Sequence, residues 1–379
     1  MTSTFGTTVK VSIFGESHAP KIGCTIEGLP AGFTVDLAEL KTFLQRRSPS
    51  HPWDTPRKEV DNPQFISGIS AEGILDGSPL TAELPNANVR PQDYAATKLV
   101  PRPGHADFSA WAKWGDSYNQ TGGGHFSARL TAPLCIAGGI ALQILRAQGI
   151  SIAAHVLKIK DINDTPFELV DNSLEANKQL ALQMDQLLQA DPQALPFLDA
   201  QAGEKTRVLL TQLRSEKNTV GGIIECAATG VPVGIGCPHF HGLENTISAA
   251  VFGVPAVKAI EFGSGMDVAN LLGSENNDAF EVRNGSVVPT TNHAGGILGG
   301  SSTGAPLWFR CALKPISSIG LPQHSVNLQT MEPEQLVVQG RHDVTAVLRA
   351  VPCIESAFAL ALLDTLYSWP SEQNGYHND

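Results

Sequence analysis

The start of the chain alternates between apolar and polar positions in a way that predicts a β-hairpin followed by a helix. The run TTVKVSIFGESHAP predicts a strand that ends at Gly15, and KIGCTIEGLPAGF predicts its partner across a short loop. The next helix begins after the capping residue Asp36 and runs into Arg46 and Arg47. Its apolar positions share one face: Leu37, Leu40, Phe43 and Leu44.

Later segments divide into helices and short strands. Residues 128–148 and 353–367 predict the two most apolar helices, and residues 172–190 predict an amphipathic helix followed by a surface connection over 190–204. Residues 48–62, rich in Pro, Ser and Asp, predict a mobile loop. Strands are predicted at 65–69, 80–84, 152–159, 223–228, 256–262 and 307–313. Because hairpins open the chain, this interleaving favours antiparallel sheets over a Rossmann arrangement.

One internal echo is visible. RLTAPLCIAGGIALQIL at 129–145 resembles LRAVPCIESAFALALL at 348–363. Each segment has a polar turn, then Pro, then Cys-Ile within a helix of small residues. The echo predicts an ancient duplication.

The composition narrows the class of protein. A chain of 379 residues forms two domains or one large α/β or α+β unit. Its 42% hydrophobic and 17% charged content is typical of a soluble globular protein. The net charge of −11 argues against a nucleic-acid or anionic-membrane partner, since both need a basic field. An anionic substrate therefore needs a local cluster of cations.

The cysteines and the apolar segments indicate a cytoplasmic protein. The six cysteines are scattered without a CxxC pair, which is typical of reduced packing residues. Residues 1–15 lack the charged and apolar regions of a secretory signal. The longest apolar stretch, 130–145, contains Pro133, two glycines and Gln143, so we expect it to be too interrupted to span a bilayer.

Candidate chemistry lies in short polar clusters within Gly- and Pro-rich loops. GxxxxGK[ST], a strand-following GxGxxG, HExxH and GxSxG are all missing from the sequence. The clusters supply His, Arg, Lys, Asp and Ser, a mixture suited to holding a phosphorylated, carboxylated small molecule and moving protons near it. They are FGESHAP (14–20), QRRSP (45–49), RPGHADFSAWAKWG (102–115), GGGHFSAR (122–129), NHAGGILGGSSTG (292–304), KPISSI (314–319) and GRHDVTAVLRAVP (340–352).

Each cluster also has a purely structural interpretation. A histidine after a glycine turn is often a hydrogen-bonded turn residue. Arg46 and Arg47, at a helix end, could complement the helix dipole. Trp111 and Trp114, three apart, fit packing better than a stacking platform.

The run CPHFH raises a metal hypothesis. As a strand it would place Cys237, His239 and His241 on one face, but no fourth ligand stands nearby, so the sequence does not favour zinc. A zinc-dependent hydrolase is therefore a distant alternative function.

Taken in order, the motifs resemble those of the chorismate synthase family. The likeness extends from FGESH to RAVPCIESAFAL and includes the segment AVKAIEFGSGMDVANLLGSENND at 256–278. Seven motifs in the family's order and with similar spacing are far more specific than any one of them. The sequence is thus identified as a member of that family.

The resemblance implies an α+β fold in which helices lie between antiparallel sheets, with residues 1–379 as a single catalytic domain. It implies anti 1,4-elimination of phosphate from 5-enolpyruvylshikimate 3-phosphate to give chorismate. The family needs reduced FMN although no net redox change occurs, which makes sense because the C6 hydrogen is too weakly acidic for a simple base. It also implies a homotetramer and a separate flavin reductase, with NADPH as the indirect reductant.

Roles carry over position by position. The resemblance implies that His18 protonates the leaving phosphate, that His105 keeps the reduced flavin correctly protonated, and that Asp343 is the base working through flavin N5. Arg47, Arg129 and Arg341 would bind the substrate's anionic groups or the flavin, to which their forked donors are suited. The positions that match flavin contacts are His125, Phe126, Ser127, Ala256, Gly299, Lys314, Pro315, Ile316, Ser317, Ser318 and Arg341.

Two departures from the family pattern bear on anion binding. Many members read Gly-Gly-Arg-Ser-Ser-Ala-Arg where this chain has His125 and Phe126 in place of the Arg-Ser pair. Members also carry a second Arg after the RRxP segment, where this chain offers His51 or Trp53. The rival function is a flavin- or phosphate-binding paralogue without catalysis. It is disfavoured because the three proton-handling residues and three arginines are all retained.

Overall fold

The structure is a computed structural model that describes residues 3–56, 61–86, 99–118, 121–338 and 342–370. Its helices are α1 (Leu37–Gln45), α2 (Asp107–Trp114), α3 (Thr131–Ala147), α4 (Leu174–Leu188), α5 (Ala200–Ser215), α6 (Leu243–Phe252), α7 (Gly273–Asn276) and α8 (Val347–Ser368).

Sixteen strands are present in the described residues. They are β1 (Thr4–Phe5), β2 (Lys10–Gly15), β3 (Lys21–Glu27), β4 (Gln64–Ser67), β5 (Leu80–Pro85), β6 (Ser151–Ile159), β7 (Ile162–Asn163), β8 (Gly222–Thr229), β9 (Val257–Phe262), β10 (Phe280–Arg283), β11 (Ser286–Pro289), β12 (Ile297–Leu298), β13 (Ser301–Ser302), β14 (Leu307–Leu313), β15 (Gln323–Val326) and β16 (Pro333–Leu336).

The first half of the chain forms a five-stranded sheet in the order β1-β2-β3-β5-β4, with every pair antiparallel. The predicted hairpin is its centre, since β2 pairs β3 with Ile13 opposite Cys24. Ile22, Cys24 and Ile26 alternate along β3 and are fully buried. The apolar alternation in the sequence therefore gives this sheet one face that packs into the core.

The second half forms another antiparallel sheet in the order β7-β6-β8-β14-β9. Its central strands are buried almost continuously, with Ala153, Ala154 and Val156 in β6 and Cys226 and Ala227 in β8. Burial on both faces explains why these strands read as unbroken apolar runs.

Two helices fill the space between the sheets. Helix α3 packs on β2, β3 and β5, and α8 packs on β6 and β8. Helix α3 also lies along α8, where Cys135 Sγ is 3.7 Å from Cys353 Sγ and a Cβ on Gly138 would overlap Ser356. Since contacts advance along both helices in the same direction, the two echoing segments lie parallel. The predicted α+β fold with helices between antiparallel sheets is confirmed.

Helix α1 follows the prediction closely. The side chain of Asp36 accepts hydrogen bonds from the backbone N–H groups of Ala38 and Glu39, 2.9 Å each, and so caps the helix. Leu40 and Leu44 are buried against α3. Arg46 and Arg47 consequently lie at the C-terminal end of α1, which packs against α3.

Two local predictions are wrong. The connection over 190–204 ends early, because α5 begins at Ala200 with Asp199 as its capping residue. The CPHFH run is not a strand: His239–His241 forms a short 3-10 helix, so alternate side chains do not share a face. Within the described parts of the chain, no three His, Cys, Asp or Glu side chains are grouped as metal ligands.

One helical stretch, Ala128–Ala147, has the length and hydropathy of a membrane span. In the fold, 78% of its apolar window is buried. Packing between the two sheets accounts for this apolar run.

Candidate active site

The loop between β2 and β3 carries His18 and is held in place by Asn86. Asn86 follows β5, the strand beside β3, and its amide Nδ2 donates to the carbonyls of Glu16 at 3.3 Å and Ala19 at 2.8 Å. Its backbone N–H donates to the Pro20 carbonyl at 3.0 Å. The loop is therefore held beside the residue that follows the C-terminal end of β5 in the first sheet.

The triple glycine forms a turn between the two predicted catalytic histidines. Gly122, Gly123 and Gly124 have φ values of 66°, 99° and 51°, a region that side chains disfavour. A Cβ on Gly122 would overlap the His18 ring, and one on Gly123 would lie 3.4 Å from His105 Nε2. The glycines thus bring His18 and His105 to neighbouring positions of one turn.

His105 belongs to a buried polar network. Its Nδ1 lies 2.6 Å from Asp107 Oδ1, and Asp107 also accepts from Arg102 at 2.7 Å and 2.8 Å. Burial would raise the pKa of Asp107, but hydrogen bonds from Arg102 and His105 outweigh it and hold the pKa below its ordinary value. Asp107 is therefore an ionised carboxylate beneath His105.

The KPISSI segment is attached to the same loop. Lys314 Nζ donates to the Gly104 carbonyl at 2.5 Å and to Ser317 Oγ at 2.8 Å, and Arg102 Nη1 donates to Ser318 Oγ at 3.3 Å. Partial burial, and then the charge of Lys258, lowers the pKa of Lys314. The predicted contacts Lys314, Ser317 and Ser318 are thus assembled beside His105.

Three further predicted contacts lie next to this segment. Ala256 accepts a hydrogen bond from the Lys314 backbone N–H at 2.9 Å and has a left-handed φ of 77°. The Ile316 carbonyl accepts from Thr219 Oγ1 at 2.7 Å. Pro315 packs against the backbone of Gly221. The segment is consequently fixed by β8 and β9 as well as by the His105 loop.

The two residues that depart from the family pattern lie on the outer side of the turn. His125 Nε2 is 3.2 Å from Glu16 Oε1, and Phe126 packs against Trp114 and Tyr118 with ring centroids 6.1 Å and 6.0 Å apart. Tyr118 donates from its hydroxyl to the Gly123 carbonyl at 3.1 Å. These side chains cover the turn with an aromatic surface.

Tyr118 and Ser127 support the turn from either end. Partial burial, followed by the charge of Asp107, raises the pKa of Tyr118 to about 12, so its hydroxyl stays protonated and keeps donating. Ser127 Oγ accepts from the backbone N–H of Arg129 at 3.2 Å, which starts the short 3-10 turn before α3.

Arg47 and Arg129 meet at a shared buried carboxylate, Asp61. Arg47 Nη2 and Arg129 Nη1 lie 2.5 Å from the two oxygens of Asp61, and Arg129 Nε donates to Asn86 Oδ1 at 3.1 Å. Burial would raise the pKa of Asp61, but the two guanidinium charges lower it below its ordinary value. The cluster carries two positive charges and one negative charge, and Asn86 links it to the His18 loop.

Asp343 lies at the far side of this cluster. Its oxygens accept from Arg349 Nη1, 2.8 Å each, and from the Thr55 backbone N–H at 2.8 Å. Arg349 Nε also donates to the Arg47 carbonyl at 2.8 Å. Asp343 is therefore connected to the arginine cluster through Arg349.

One predicted contact is not joined to these groups within the described residues, and another lies outside those residues. Gly299 occupies the turn between β12 and β13, which packs against residues 237–243. Arg341 lies outside the described residues. Both stay predictions.

A cavity of about 320 Å³ lies between α1, residues 186–197 and the start of α8, away from the glycine turn. Its arginines are all paired with carboxylates: Arg46 with Glu355, Arg146 with Glu39 and Arg349 with Asp343. Since these charges are already compensated, the cavity is a poorer anion site than the glycine turn.

Sequence reasoning missed several residues that organise the site: Asn86, Arg102, Asp107, Tyr118, Asp61 and Arg349. Arg102 and Asp107 stand inside the quoted RPGHAD motif, where the Arg-x-x-His-x-Asp spacing was the available signal. Asp61 gave none, because a lone Asp in a Pro-rich loop does not reveal two arginine partners.

Comparisons with known proteins show the family and the fold of the chain. The family model described as chorismate synthase matches residues 9–367. A chorismate synthase of Lancefieldella parvula is 91% identical over 379 residues, which is all of both chains. One from Thermococcus kodakarensis is 38% identical over 361 residues, or 95% of this chain and 96% of the relative.

A solved structure shares the fold. It is described as the crystal structure of chorismate synthase and superposes with a TM-score of 0.72 over 96% of this chain and 93% of its own. The sequence identity is 21%, so this likeness bears on the fold alone.

Proposed function

The chain belongs to the chorismate synthase family, and we propose that it converts 5-enolpyruvylshikimate 3-phosphate to chorismate and phosphate by anti 1,4-elimination. The family consists of lyases of the shikimate pathway that act on a small-molecule substrate and require a reduced flavin. The elimination balances without water, because one proton leaves C6 and the departing phosphate gains one.

The observation that carries the proposal is the turn at Gly122–Gly124. His18 lies against Gly122 and His105 Nε2 lies near Gly123, two neighbouring positions of this turn. The Arg47–Asp61–Arg129 cluster is linked to the His18 loop through the bond from Arg129 to Asn86. Proton donors and cations around a glycine turn suit a multiply charged substrate whose leaving group must be protonated.

The residues present fit a flavin phosphate. Lys314, Arg102 and His105 supply cationic or proton-donating groups on one side of the turn. Phe126 and Trp114 supply aromatic surface on the other. A planar, anionic cofactor matches both properties, and we propose that this cofactor is reduced FMN.

His18 is the proposed proton donor to the departing phosphate. The loop that carries it is fixed by Asn86 through three carbonyls and by a hydrogen bond from Ser17 N–H to the Gly124 carbonyl at 3.3 Å. A side chain held in this way can meet the leaving oxygen without first ordering a loop.

Arg47 and Arg129 are the proposed anion-binding residues, together with Arg341. Asp61 compensates one of the two guanidinium charges and fixes both side chains, so the pair presents one net positive charge in a fixed geometry. That arrangement overcomes the repulsion expected from a chain of net charge −11.

Asp343 is the proposed base that finally takes up the proton lost from C6, and it would do so through the bound flavin because C6 is too weakly acidic for direct deprotonation. Arg349 and the Thr55 N–H hold both of its oxygens, which orients the carboxylate. A reduced flavin held beside Lys314 and Ser317 would supply electron density to the substrate as phosphate leaves. His105 would hold a proton beside the glycine turn and keep the reduced flavin correctly protonated.

We propose that the protein works in the cytoplasm as a homotetramer and receives flavin reduced by a separate enzyme, with NADPH as the indirect reductant. Members that reduce their own flavin carry additional sequence, and no obvious insertion separates the motifs here. Pure protein with FMN should therefore not oxidise NADPH in air. Steady aerobic NADPH oxidation would overturn this part of the proposal.

The deciding experiment is an anaerobic assay with photoreduced FMN and 5-enolpyruvylshikimate 3-phosphate. Formation of chorismate and phosphate in equal amounts is the expected result, with oxidised FMN as the inactive control. Tight FMN binding without product would instead identify a non-catalytic flavin-binding paralogue.

A further inference from the structure

Asp107 bonds two residues, Arg102 and His105, through four hydrogen-bonding groups whose geometry defines the orientation of the histidine. Its Oδ1 lies 2.6 Å from His105 Nδ1, and Arg102 reaches both of its oxygens and donates its own backbone N–H to Oδ2 at 3.1 Å. Asp107 is only 1% exposed, so it contacts neither substrate nor solvent directly. Burying an ionised carboxylate costs free energy unless its charge is paired and its oxygens are hydrogen-bonded.

We propose that Asp107, clamped by Arg102, is a positioning residue that fixes the His105 ring with its proton on Nδ1 and turns Nε2 toward Gly123. The proposal rests on the function proposed above for His105. Neither residue appeared among the predicted site residues, and both stand within the sequence RPGHAD.

The hydrogen-bond donors and acceptors around His105 determine which of its ring nitrogens carries the proton. Arg102 Nη2 also approaches His105 Nδ1, at 3.1 Å, but a guanidinium can only donate. If Nδ1 lacked a proton, Asp107 and Nδ1 would be two acceptors 2.6 Å apart, which is repulsive. A proton on Nδ1 donated to Asp107 removes the repulsion. Arg102 Nη2 and His105 Nδ1 then lie close together because both donate to the same oxygen, Asp107 Oδ1.

The contacts around His105 leave Nε2 as the ring nitrogen that can reach a bound group. A Cβ placed on Gly123 would sit 3.4 Å from Nε2, so this edge of the ring faces the glycine turn. Lys314 is held at the neighbouring Gly104 carbonyl, and Tyr118 at the Gly123 carbonyl. Nε2 is consequently the atom that can exchange a proton with a bound group, as in other carboxylate–histidine pairs.

The first test is Asp107→Asn. The amide keeps one oxygen for Arg102 and presents its NH₂ to His105, which favours the opposite tautomer with Nδ1 as acceptor. We expect kcat to fall on the order of 10²–10⁴-fold, the loss typical when a proton-transfer histidine is left in the wrong tautomer. KM should change little, because Asp107 does not touch substrate.

A double-mutant cycle separates positioning from a general structural effect. Asp107→Asn should lower kcat in the wild-type background but cause no further loss when added to His105→Gln. Equal losses in both backgrounds would overturn the proposal. If His105→Gln itself retains full kcat, the function proposed for His105 has failed instead.

A readout that does not depend on turnover is the ¹⁵N spectrum of protein labelled at histidine, with the His105 signals assigned from His105→Gln. We expect Nδ1 to be the proton-bearing nitrogen in the wild type and Nε2 in Asp107→Asn. An unprotonated Nδ1 in the wild type would refute the proposal even if the variant failed to fold.

The chain offers a matched control in Asp164. This carboxylate is also buried, and it lies 2.8 Å from Nδ1 of the buried His155. Asp164→Asn should lower the unfolding temperature while leaving kcat and the His105 spectrum unchanged. A comparable loss of kcat in both variants would mean that any broken Asp–His pair impairs the enzyme, which contradicts a specific role of Asp107.

Discussion

The glycine turn leaves almost no free volume around His18, and this makes Gly122 the most sensitive single position in the site. A methyl group there meets the His18 ring and the Ser17 hydroxyl. Gly122→Ala should therefore displace His18 and lower kcat on the order of 10²-fold or more. Steady-state kinetics under reducing, anaerobic conditions would measure this loss.

Backbone strain must be separated from that displacement, and Gly32→Ala provides the control. Gly32 has a φ of 81° but nothing within 4 Å of its Cβ position. Both variants should lose about 1–2 kcal/mol of unfolding free energy from the left-handed backbone. Only Gly122→Ala should lose turnover, so equal kcat values in the two would exclude a steric role.

The three residues with assigned proton roles give a second prediction. His18→Ala, His105→Ala and Asp343→Asn should each slow turnover about 10²–10⁴-fold, since each removes one positioned donor or base. Circular dichroism and FMN titration would establish that the fold and the cofactor site survive. Near-native rates in all three would show that the roles are wrong.

Sequence alone identified the histidines but not what orients them. His18, His105 and Lys314 stand in recognisable motifs, and the structure gathers them at one turn. Asp61 could not be found in this way because its importance arises from two arginines that are distant in sequence, Arg47 and Arg129. Pairing across such separations is decided by the packing of sheet and helix.

The parallel pair α3 and α8 depends on small side chains where the two helices touch. A Cβ on Gly138 would overlap both the backbone and the side chain of Ser356. Gly138→Ala should therefore force the helices apart and cost about 1–3 kcal/mol of unfolding free energy. Urea denaturation would measure the loss.

Gly203 in α5 is the control for Gly138, because replacing it with alanine should raise the unfolding free energy rather than lower it. Its Cβ position meets only ordinary contacts with Phe197, at 3.8 Å and beyond. Gly203→Ala should stabilise the protein by up to about 1 kcal/mol, because alanine is the better helix former. Destabilisation of both variants would mean that helix contact is not what restricts Gly138.

A buried ionic network ties β6 to β8. His155 lies between Asp164 at 2.8 Å and Glu225 at 3.2 Å, and Arg310 pairs with Glu225 at 2.8 Å. Burial would lower the pKa of His155, but hydrogen bonds with the two carboxylates outweigh it and raise the pKa. Replacement by Gln should cost about 3–5 kcal/mol, because it leaves the buried carboxylate of Asp164 without its cation, while Glu225 keeps Arg310 as its cation.

The raised pKa sets the pH dependence of that loss. The contribution of His155 is complete below its unfolded pKa of about 6.5 and is lost as the pH rises through the folded value. The stability gap between wild type and His155→Gln should thus narrow as the pH rises above about 6.5 and through the raised folded pKa of His155. A gap that widens over this interval would show that His155 is neutral in the folded protein.

The elements differ in how well their sequences reveal them. The β2–β3 hairpin and α1 were predictable because strict alternation and the Asp36 cap act locally. Helix α5 was missed because its sequence, AQAGEKTRVLLTQLRS, is largely polar and only Leu210 and Leu213 of its leucines are buried. The CPHFH run failed as a strand because spacing alone does not determine backbone conformation.

At the scale of the whole molecule, apolar side chains remain exposed on the β10–β11 hairpin, which is a two-stranded sheet separate from both large sheets. Phe280, Val282 and Val287 are 62%, 75% and 63% exposed, and Met266 nearby in sequence is 80% exposed. Apolar surface concentrated on a two-stranded hairpin is typical of contacts between subunits. It supports the proposed tetramer, and we propose that one of its interfaces includes this hairpin.

Val282→Glu should therefore break the assembly, since a charge buried between subunits loses its hydration without gaining a partner. Light scattering after size-exclusion chromatography should shift from a tetramer to smaller species. Val208→Glu is the matched control, because Val208 is 60% exposed on α5, away from the hairpin. If the two variants keep the same mass as the wild type, the hairpin is not an interface; if both dissociate, added charge rather than position is responsible.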